Sequence, residues 1–254
     1  MLDEIIAATR PRIAHLDGAA LQAAASGLPA ARSLEGALAA PGLGVIAEIK
    51  RRSPSRGQLA ADLRPADRAA AYAQGGAAAI SVLTEPEYFS GSVEDLVAVR
   101  QAVEVPVLRK DFIVDEAQIW ESRLAGADAV LLIVAALADA ELAHLIGVAA
   151  RAGLDALVEV HTHDEAHRAM AAGARLVGVN NRDLGSFAVD LATAESLAAA
   201  VADARVRVAE SGILAVADAA RMAAAGYHAV LVGEALVRAD DPAALVAELR
   251  LARP

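Results

Sequence analysis

The sequence predicts an α/β fold in which eight parallel strands close into a (β/α)8 barrel, with a helical extension at the N-terminus. Three observations carry this. Eight short apolar runs alternate with eight segments of helical spacing from residue 44 onward, and sequential βα units build parallel sheets. Several runs are continuous rather than alternating, such as AVLLIV at 129–134 and AVLVG at 229–233, which is how strands buried on both faces read. The length of 254 residues suits one large α/β barrel.

Residues 1–40 precede the first strand and read as one or two extra helices. Strands are expected at 44–50, 78–84, 105–110, 128–134, 154–160, 175–180, 205–210 and 228–233. Helices are expected near 65–75, 92–102, 115–126, 138–152, 163–173, 191–202, 214–225 and 242–252. Start signals support them. Ser92 stands before VEDL, Thr162 or His163 before DEAHRAM, and Pro242 falls in a first turn. Gly76, Gly126, Gly153, Gly173 and Gly226 each follow a helix and precede a strand, where C-terminal caps belong. A doubly wound open sheet is the alternative. It has fewer strands and often a GxGxxG turn after the first, where this chain has RRSPSRG. No linker or second domain is visible, so 1–254 reads as a single barrel domain with 1–40 as its extension.

Hydrophobic residues make up 56% of the chain, enough for a large core, and they are mostly Ala, Leu and Val. The absence of cysteine excludes a disulfide, a thiolate metal site or a cysteine nucleophile. A formal charge of −10 argues against nucleic acid as a partner. An anionic small substrate remains possible where positive charge is gathered locally. The opening MLDEIIAATR lacks the basic and apolar regions of a signal peptide. The apolar runs also fall short of the roughly 18–20 residues of a membrane span. A cytoplasmic protein is expected.

Of the 23 basic residues only Lys50 and Lys110 are lysines, and both end apolar runs. Arginine keeps its proton at any working pH, whereas lysine can shed one when its surroundings push it. Two lysines at strand ends therefore suggest proton transfer or an ammonium point charge. In this fold chemistry happens at the C-terminal ends of the strands. There the chain offers Glu48 and Lys50, Lys110, Glu159, Asn180 with Asn181 and Arg182, Glu210 with Ser211 and Gly212, and Gly233 with Glu234. Each alone reads as a capping or paired residue. Together, carboxylates and lysines at one mouth are what general acid–base catalysis needs.

The loops after strands 7 and 8, ESGI at 210–213 and GEAL at 233–236, occupy the usual phosphate cradle. Glu234 is expected to point away, leaving backbone N–H groups to bind the anion. Phe89 and Phe112 follow strand ends in a chain with only three phenylalanines. They are candidates for the walls of a ring pocket, or for loop packing. His161 and His163, with Glu159 or His167, could suggest a metal set. His163 and His167 fall on the start of a solvent-facing helix, so no metal is expected.

The segment AEIKRRSPSRG at 47–57 resembles the most recognisable motif of the indole-3-glycerol phosphate synthase family. In order behind it come SVLTEPEYFSGS, VLRKDFIVDEAQI, ADAVLLIVAAL, LVEVHTHDEA, GVNNRDL and AESGI, which are similar to that family too. RSLEGAL, from residue 32, also fits, and LDEIIA resembles its N-terminal helix more loosely.

The resemblance implies a (β/α)8 TIM barrel with an N-terminal extension, acting in tryptophan biosynthesis without metal or organic cofactor. It implies the substrate 1-(2-carboxyphenylamino)-1-deoxyribulose 5-phosphate and a ring closure that releases carbon dioxide and water. It assigns Lys110 as general acid on the ribulose carbonyl and Glu159 as general base in the later dehydration. Lys50 contacts the substrate's anionic groups and is the candidate acid of that dehydration. Glu48, Asn180 and Glu210 hold hydroxyls and orient the lysines. Ser211, Gly212, Gly233 and Glu234 fall at the phosphate cradle, supported by Ser53 and Arg182. Phe89, Phe112, Leu131 and Leu184 fall around the anthranilate ring. Some members carry serine where Glu234 stands, which removes a hydroxyl contact to phosphate. No ligand contact is carried over to residues 1–40. The expected partner is a small phosphorylated molecule, with no nucleic acid and no membrane, and a monomer is expected.

Three alternatives stand beside this. Phosphoribosylanthranilate isomerase shares the fold but uses a catalytic cysteine. A Schiff-base aldolase places its lysine on strand 6, where this chain has Asn180. A non-catalytic phosphosugar-binding barrel would tolerate arginine in place of Lys50 and Lys110.

Overall fold

A computed structural model of the protein describes residues 1–54, 57–59, 62–183 and 185–252. The chain opens with helices α1 (Leu2–Ile13), α2 (Gly18–Ala25) and α3 (Leu34–Leu38). Strand β1 (Gly44–Ile49) follows, then a small hairpin of β2 (Arg52–Ser53) and β3 (Gly57–Gln58). Next come α4 (Pro65–Gln74), β4 (Ala79–Leu83), α5 (Pro86–Phe89), α6 (Val93–Ala102), β5 (Val107–Lys110), α7 (Glu116–Leu124) and β6 (Ala129–Ile133). The chain continues through α8 (Asp139–Arg151), β7 (Asp155–Val160), α9 (His163–Ala171), β8 (Leu176–Asn180), α10 (Ala192–Leu197) and β9 (Val206–Glu210). It ends with α11 (Val216–Ala224), β10 (Ala229–Val232), α12 (Glu234–Arg238) and α13 (Pro242–Arg250).

Strands β1 and β4 to β10 form a closed parallel barrel. Closure is made by β1, which pairs with β10 at Gly44↔Ala229 and with β4 at Ile46↔Ala79. The continuous apolar runs serve two cores at once, because successive side chains of a strand alternate between faces. In β6, Ala129, Leu131 and Ile133 fill the barrel, while Val130 and Leu132 pack outward against the helices. Helix α3 plugs the lower end with Leu34 and Leu38, both fully buried among the interior residues of the strands.

The helix starts follow their caps. Ser92 and Thr162 accept hydrogen bonds from Asp95 N (3.2 Å) and Glu165 N (3.2 Å). Asp241 caps α13 ahead of Pro242. After α7 the chain reverses at Gly126, whose φ of +88° suits glycine.

Several local features depart from the sequence reading, among them the short unpredicted helices α5 and α12. Residues 1–40 form α1, α2 and α3, where one or two helices are predicted. Asp17 and Ser33 cap the latter two, but helices of eight and five residues carry too little periodicity to be read. The loop after β1 folds into the β2–β3 hairpin. Helix α10 ends at Leu197, short of the predicted 202.

Candidate active site

The upper mouth gathers the polar strand ends. Successive residues of β5 diverge: Arg109 turns out of the barrel and Lys110 turns in. Arg109 is 1% exposed and is held by Asp111 (3.0 Å) and Glu121 (2.7 Å). Asp111 in turn accepts from Thr84 Oγ1 (2.7 Å) and Phe112 N (2.9 Å). This buried network clamps the chain on either side of Lys110.

Lys110 Nζ lies 3.0 Å from Glu159 Oε2 and 3.4 Å from Glu210 Oε2. Asn180 Nδ2 donates to Glu159 Oε1 at 3.2 Å. Lys50 Nζ pairs with Glu48 Oε1, its neighbour two residues back on the same side of β1. Burial pulls the Lys110 ammonium down, but Glu159, Glu210 and Glu48 outweigh it and hold Lys110 above its ordinary value. Burial pushes Glu159 up, yet Lys110 and His161 bring it well below the usual carboxylate range. Glu210 goes the other way. Burial pushes it up to about 8 against the pull of Lys110, because Glu159 and Glu48 stand nearby. Two carboxylates facing one ammonium are thus pushed in opposite directions and titrate as one unit.

The apolar side of the cavity holds Phe89, Phe112 and Leu131. The two rings lie 6.1 Å apart at an interplanar angle of 36°. Both are positioned from below. Glu85 accepts from the backbone N–H of Glu87, Tyr88 and Phe89. Gln118 Nε2 donates to Phe112 O at 3.1 Å. Opposite, Ser211 and Gly212 have consecutive left-handed backbones, φ +65° and +82°. Gly233 and Glu234 begin α12 beside them, and Ser53 and Arg182 complete this side of the cavity. Glu234 bonds Arg238 at 3.1 Å along its own helix.

The comparisons bear on this arrangement. The family model of indole-3-glycerol phosphate synthase matches residues 2–249. An indole-3-glycerol phosphate synthase of Rhodococcus jostii is 52% identical over 249 residues, 98% of this chain and 93% of that protein. One from Kineococcus radiotolerans is 57% identical over 208 residues, 82% of this chain and 76% of that protein. The chain belongs to the indole-3-glycerol phosphate synthase family. Among solved structures, a 3-hexulose-6-phosphate synthase superposes with a TM-score of 0.64 at 22% identity, covering 84% of this chain and all of the other. A thiamine phosphate pyrophosphorylase from Pyrococcus furiosus gives 0.60 at 17% identity, covering 86% of this chain and 96% of the other. These two share the barrel alone.

Within this synthase-family fold, the cavity is lined by Glu48, Lys50, Ser53, Phe89, Lys110, Phe112, Leu131, Glu159, Asn180, Arg182, Glu210, Ser211, Gly212, Gly233 and Glu234. Leu184 lies outside the described residues. Asn181 instead supports the loops, with Nδ2 to Ser211 O at 3.1 Å and Oδ1 accepting from Ala194 N at 2.9 Å. His163 and His167 are exposed on α9, and no metal-binding set of His, Asp or Glu forms among the described residues.

Four contributions escape the sequence reading. Phe187, the third phenylalanine, also lines the cavity, with φ +60° and its carbonyl accepting from Arg182 Nη1 at 3.2 Å. Met1, together with Leu2 and Ile5 of α1, reaches the cavity, and Arg12 of α1 approaches Asp111 at 3.5 Å. Gly178 leaves room for Glu210, since a Cβ there would overlap Glu210 Oε1. His161 contacts Glu159 itself. The phenylalanine count was the signal for Phe187; the other three depend on tertiary contacts.

Proposed function

We propose that the cavity closes the indole ring of 1-(2-carboxyphenylamino)-1-deoxyribulose 5-phosphate to give indole-3-glycerol phosphate, carbon dioxide and water. The observation that carries this reading is the buried Lys110 ammonium, 3.0 Å from Glu159 and 3.4 Å from Glu210, in a cavity with an aromatic wall and a backbone cradle. Lys110 starts protonated, as a general acid must. It gives its proton to the ribulose carbonyl oxygen as the ring carbon bearing the carboxylate forms the new C–C bond. Carbon dioxide then leaves, and its bonding pair restores the ring. Lys50 protonates the departing hydroxyl, and Glu159 takes the proton released as the pyrrole double bond forms. One water is lost.

In this reading Glu48, Asn180 and Glu210 orient the two lysines. Phe89, Phe112 and Leu131 enclose the anthranilate ring. The left-handed pair Ser211–Gly212 and the Gly233–Glu234 turn present backbone N–H groups to the phosphate. Ser53 and Arg182 add polar contacts, and Glu234 faces its helix partner Arg238. No organic cofactor or metal takes part. We further propose that the chain is one barrel domain acting as a cytoplasmic monomer. No helix among the described residues is long and apolar enough to cross a membrane.

The direct test mixes the protein with the carboxyphenylamino-deoxyribulose phosphate in EDTA and follows indole fluorescence. A rise is expected. Saturable binding without a rise would replace this reading with a non-catalytic phosphosugar barrel. Light scattering tests the monomer.

A further inference from the structure

We infer that His161 is a positioning residue for this reaction: an imidazolium held between Glu159 and Glu165, it keeps Glu159 ionised while Lys110 attends to the substrate. The inference rests on the ring-closure reading above. His161 follows Glu159 by two residues, just past the end of β7, so both side chains face the same way. Its Nε2 lies 3.3 Å from Glu159 Oε1, and its Nδ1 lies 3.1 Å from Glu165 Oε2. Glu165 is fixed in turn. Its Oε2 accepts the His161 backbone N–H at 2.7 Å, and its own N–H bonds the Thr162 cap of α9 at 3.2 Å. The imidazole is 9% exposed.

A neutral imidazole carries one N–H and would turn a lone pair toward one of the two carboxylates. The doubly protonated ring faces both with positive charge: Nδ1 hydrogen-bonds Glu165, while Nε2, without a hydrogen-bond partner among the described residues, lies at ion-pair distance from Glu159. Burial pulls His161 down, but Glu159 and Glu165 outweigh it and raise it to about 10. Other charges in its field include Asp183, after β8, and Lys110, across Glu159.

The consequence lies in the catalytic cycle. At rest, Lys110 neutralises one oxygen of Glu159, while His161 and Asn180 cover the other. Once Lys110 has given its proton away, a buried Glu159 with no other cation would take up a proton. It could not then serve as base. His161 supplies that remaining charge and moves no proton itself.

The test compares His161→Gln and Glu165→Gln with the wild-type enzyme, measuring kcat and KM against pH. An adjacent cation lowers a carboxylate's pKa, so removing it must raise Glu159. The acid limb of the kcat profile is expected to move to higher pH by about 1–3 units in His161→Gln. Glu165→Gln, which weakens the imidazolium without removing the ring, is expected to move it the same way by less. KM should stay nearly constant in both. In the wild type, nitrogen NMR should find both His161 ring nitrogens protonated at pH 8. An unchanged kcat profile in a folded His161→Gln protein, or a neutral ring at pH 8, would overturn the inference. Should His161→Gln fail to fold, an unmoved limb in Glu165→Gln would overturn it equally. A wild-type protein that forms no indole defeats the ring-closure reading instead, and the NMR result still decides the protonation state.

Discussion

The two ends of this barrel are built by opposite rules. At the lower end, α3 seals the interior with Leu34 and Leu38, and the polar groups around it are paired, Arg175 Nη2 to Glu35 Oε1 at 2.6 Å near the surface and Arg32 N to the buried Asp128 Oδ1 at 2.7 Å. At the upper end, carboxylates and lysines are buried together. There Glu210 Oε1 has no hydrogen-bond partner among the described residues, and Ser211 and Phe187 take left-handed backbones. The lower end pairs Glu35 and Asp128 with arginines, and only the buried Nε of Arg207 lacks a hydrogen-bond partner there among the described residues. The upper end holds charge, strain and an unmet acceptor, the state in which a site is ready for a ligand. The contrast follows the division of (β/α)8 barrels into a stabilising face and a catalytic face.

The largest break in that contrast should come from Lys110→Ala. Turnover is expected to fall by about 10²–10⁴-fold, the usual worth of a general acid, while circular dichroism shows an intact fold. Full activity in the folded variant would remove Lys110 from the assigned role. At the other end, Leu38→Ala should cost about 2–5 kcal/mol in denaturant unfolding and leave kcat per folded molecule unchanged. A kinetic defect there would mean that the two ends are coupled.

Gly178→Ala sharpens the comparison from within the barrel. Its Cβ must displace Glu210, and displacement of a catalytic group by about 1 Å can cost roughly a hundredfold in rate. Wild-type kinetics would show that Glu210 needs no fixed position. The smallest effect is expected from Glu210→Gln on thermal stability. Glu210 is raised from 4.5 to about 8 in the fold, so the native state binds its proton more tightly than the unfolded chain does. Stability must therefore fall as pH rises between those values. The amide cannot ionise. Its Tm should decline less across that window, by a few degrees, even as activity is lost. An identical decline in both proteins would count against a raised Glu210.

The legible part of the site came from alternation. Lys50, Lys110, Glu159, Asn180 and Glu210 each end an apolar strand, and a closed barrel of parallel strands brings such ends to one mouth. Phe89 and Phe112 were legible by rarity, and both line the cavity. His161 was not. Its spacing with His163 and His167 suggests a metal set, and sequence spacing cannot reveal that its ring is enclosed by two carboxylates. The roles of α1 and α3 were equally hidden, since short helices show little of which surface they will cover.

By itself, then, the order of residues determined the βα alternation, the helix caps and the polar strand ends, because hydrophobic period and hydrogen-bonding of caps are local properties. Tertiary structure alone decided that the two carboxylates beside Lys110 are pushed in opposite directions, where Phe187 and α1 meet the cavity, and why a side chain at residue 178 would meet Glu210. Those depend on burial and on distances between residues far apart in the chain, and neither is written in local pattern.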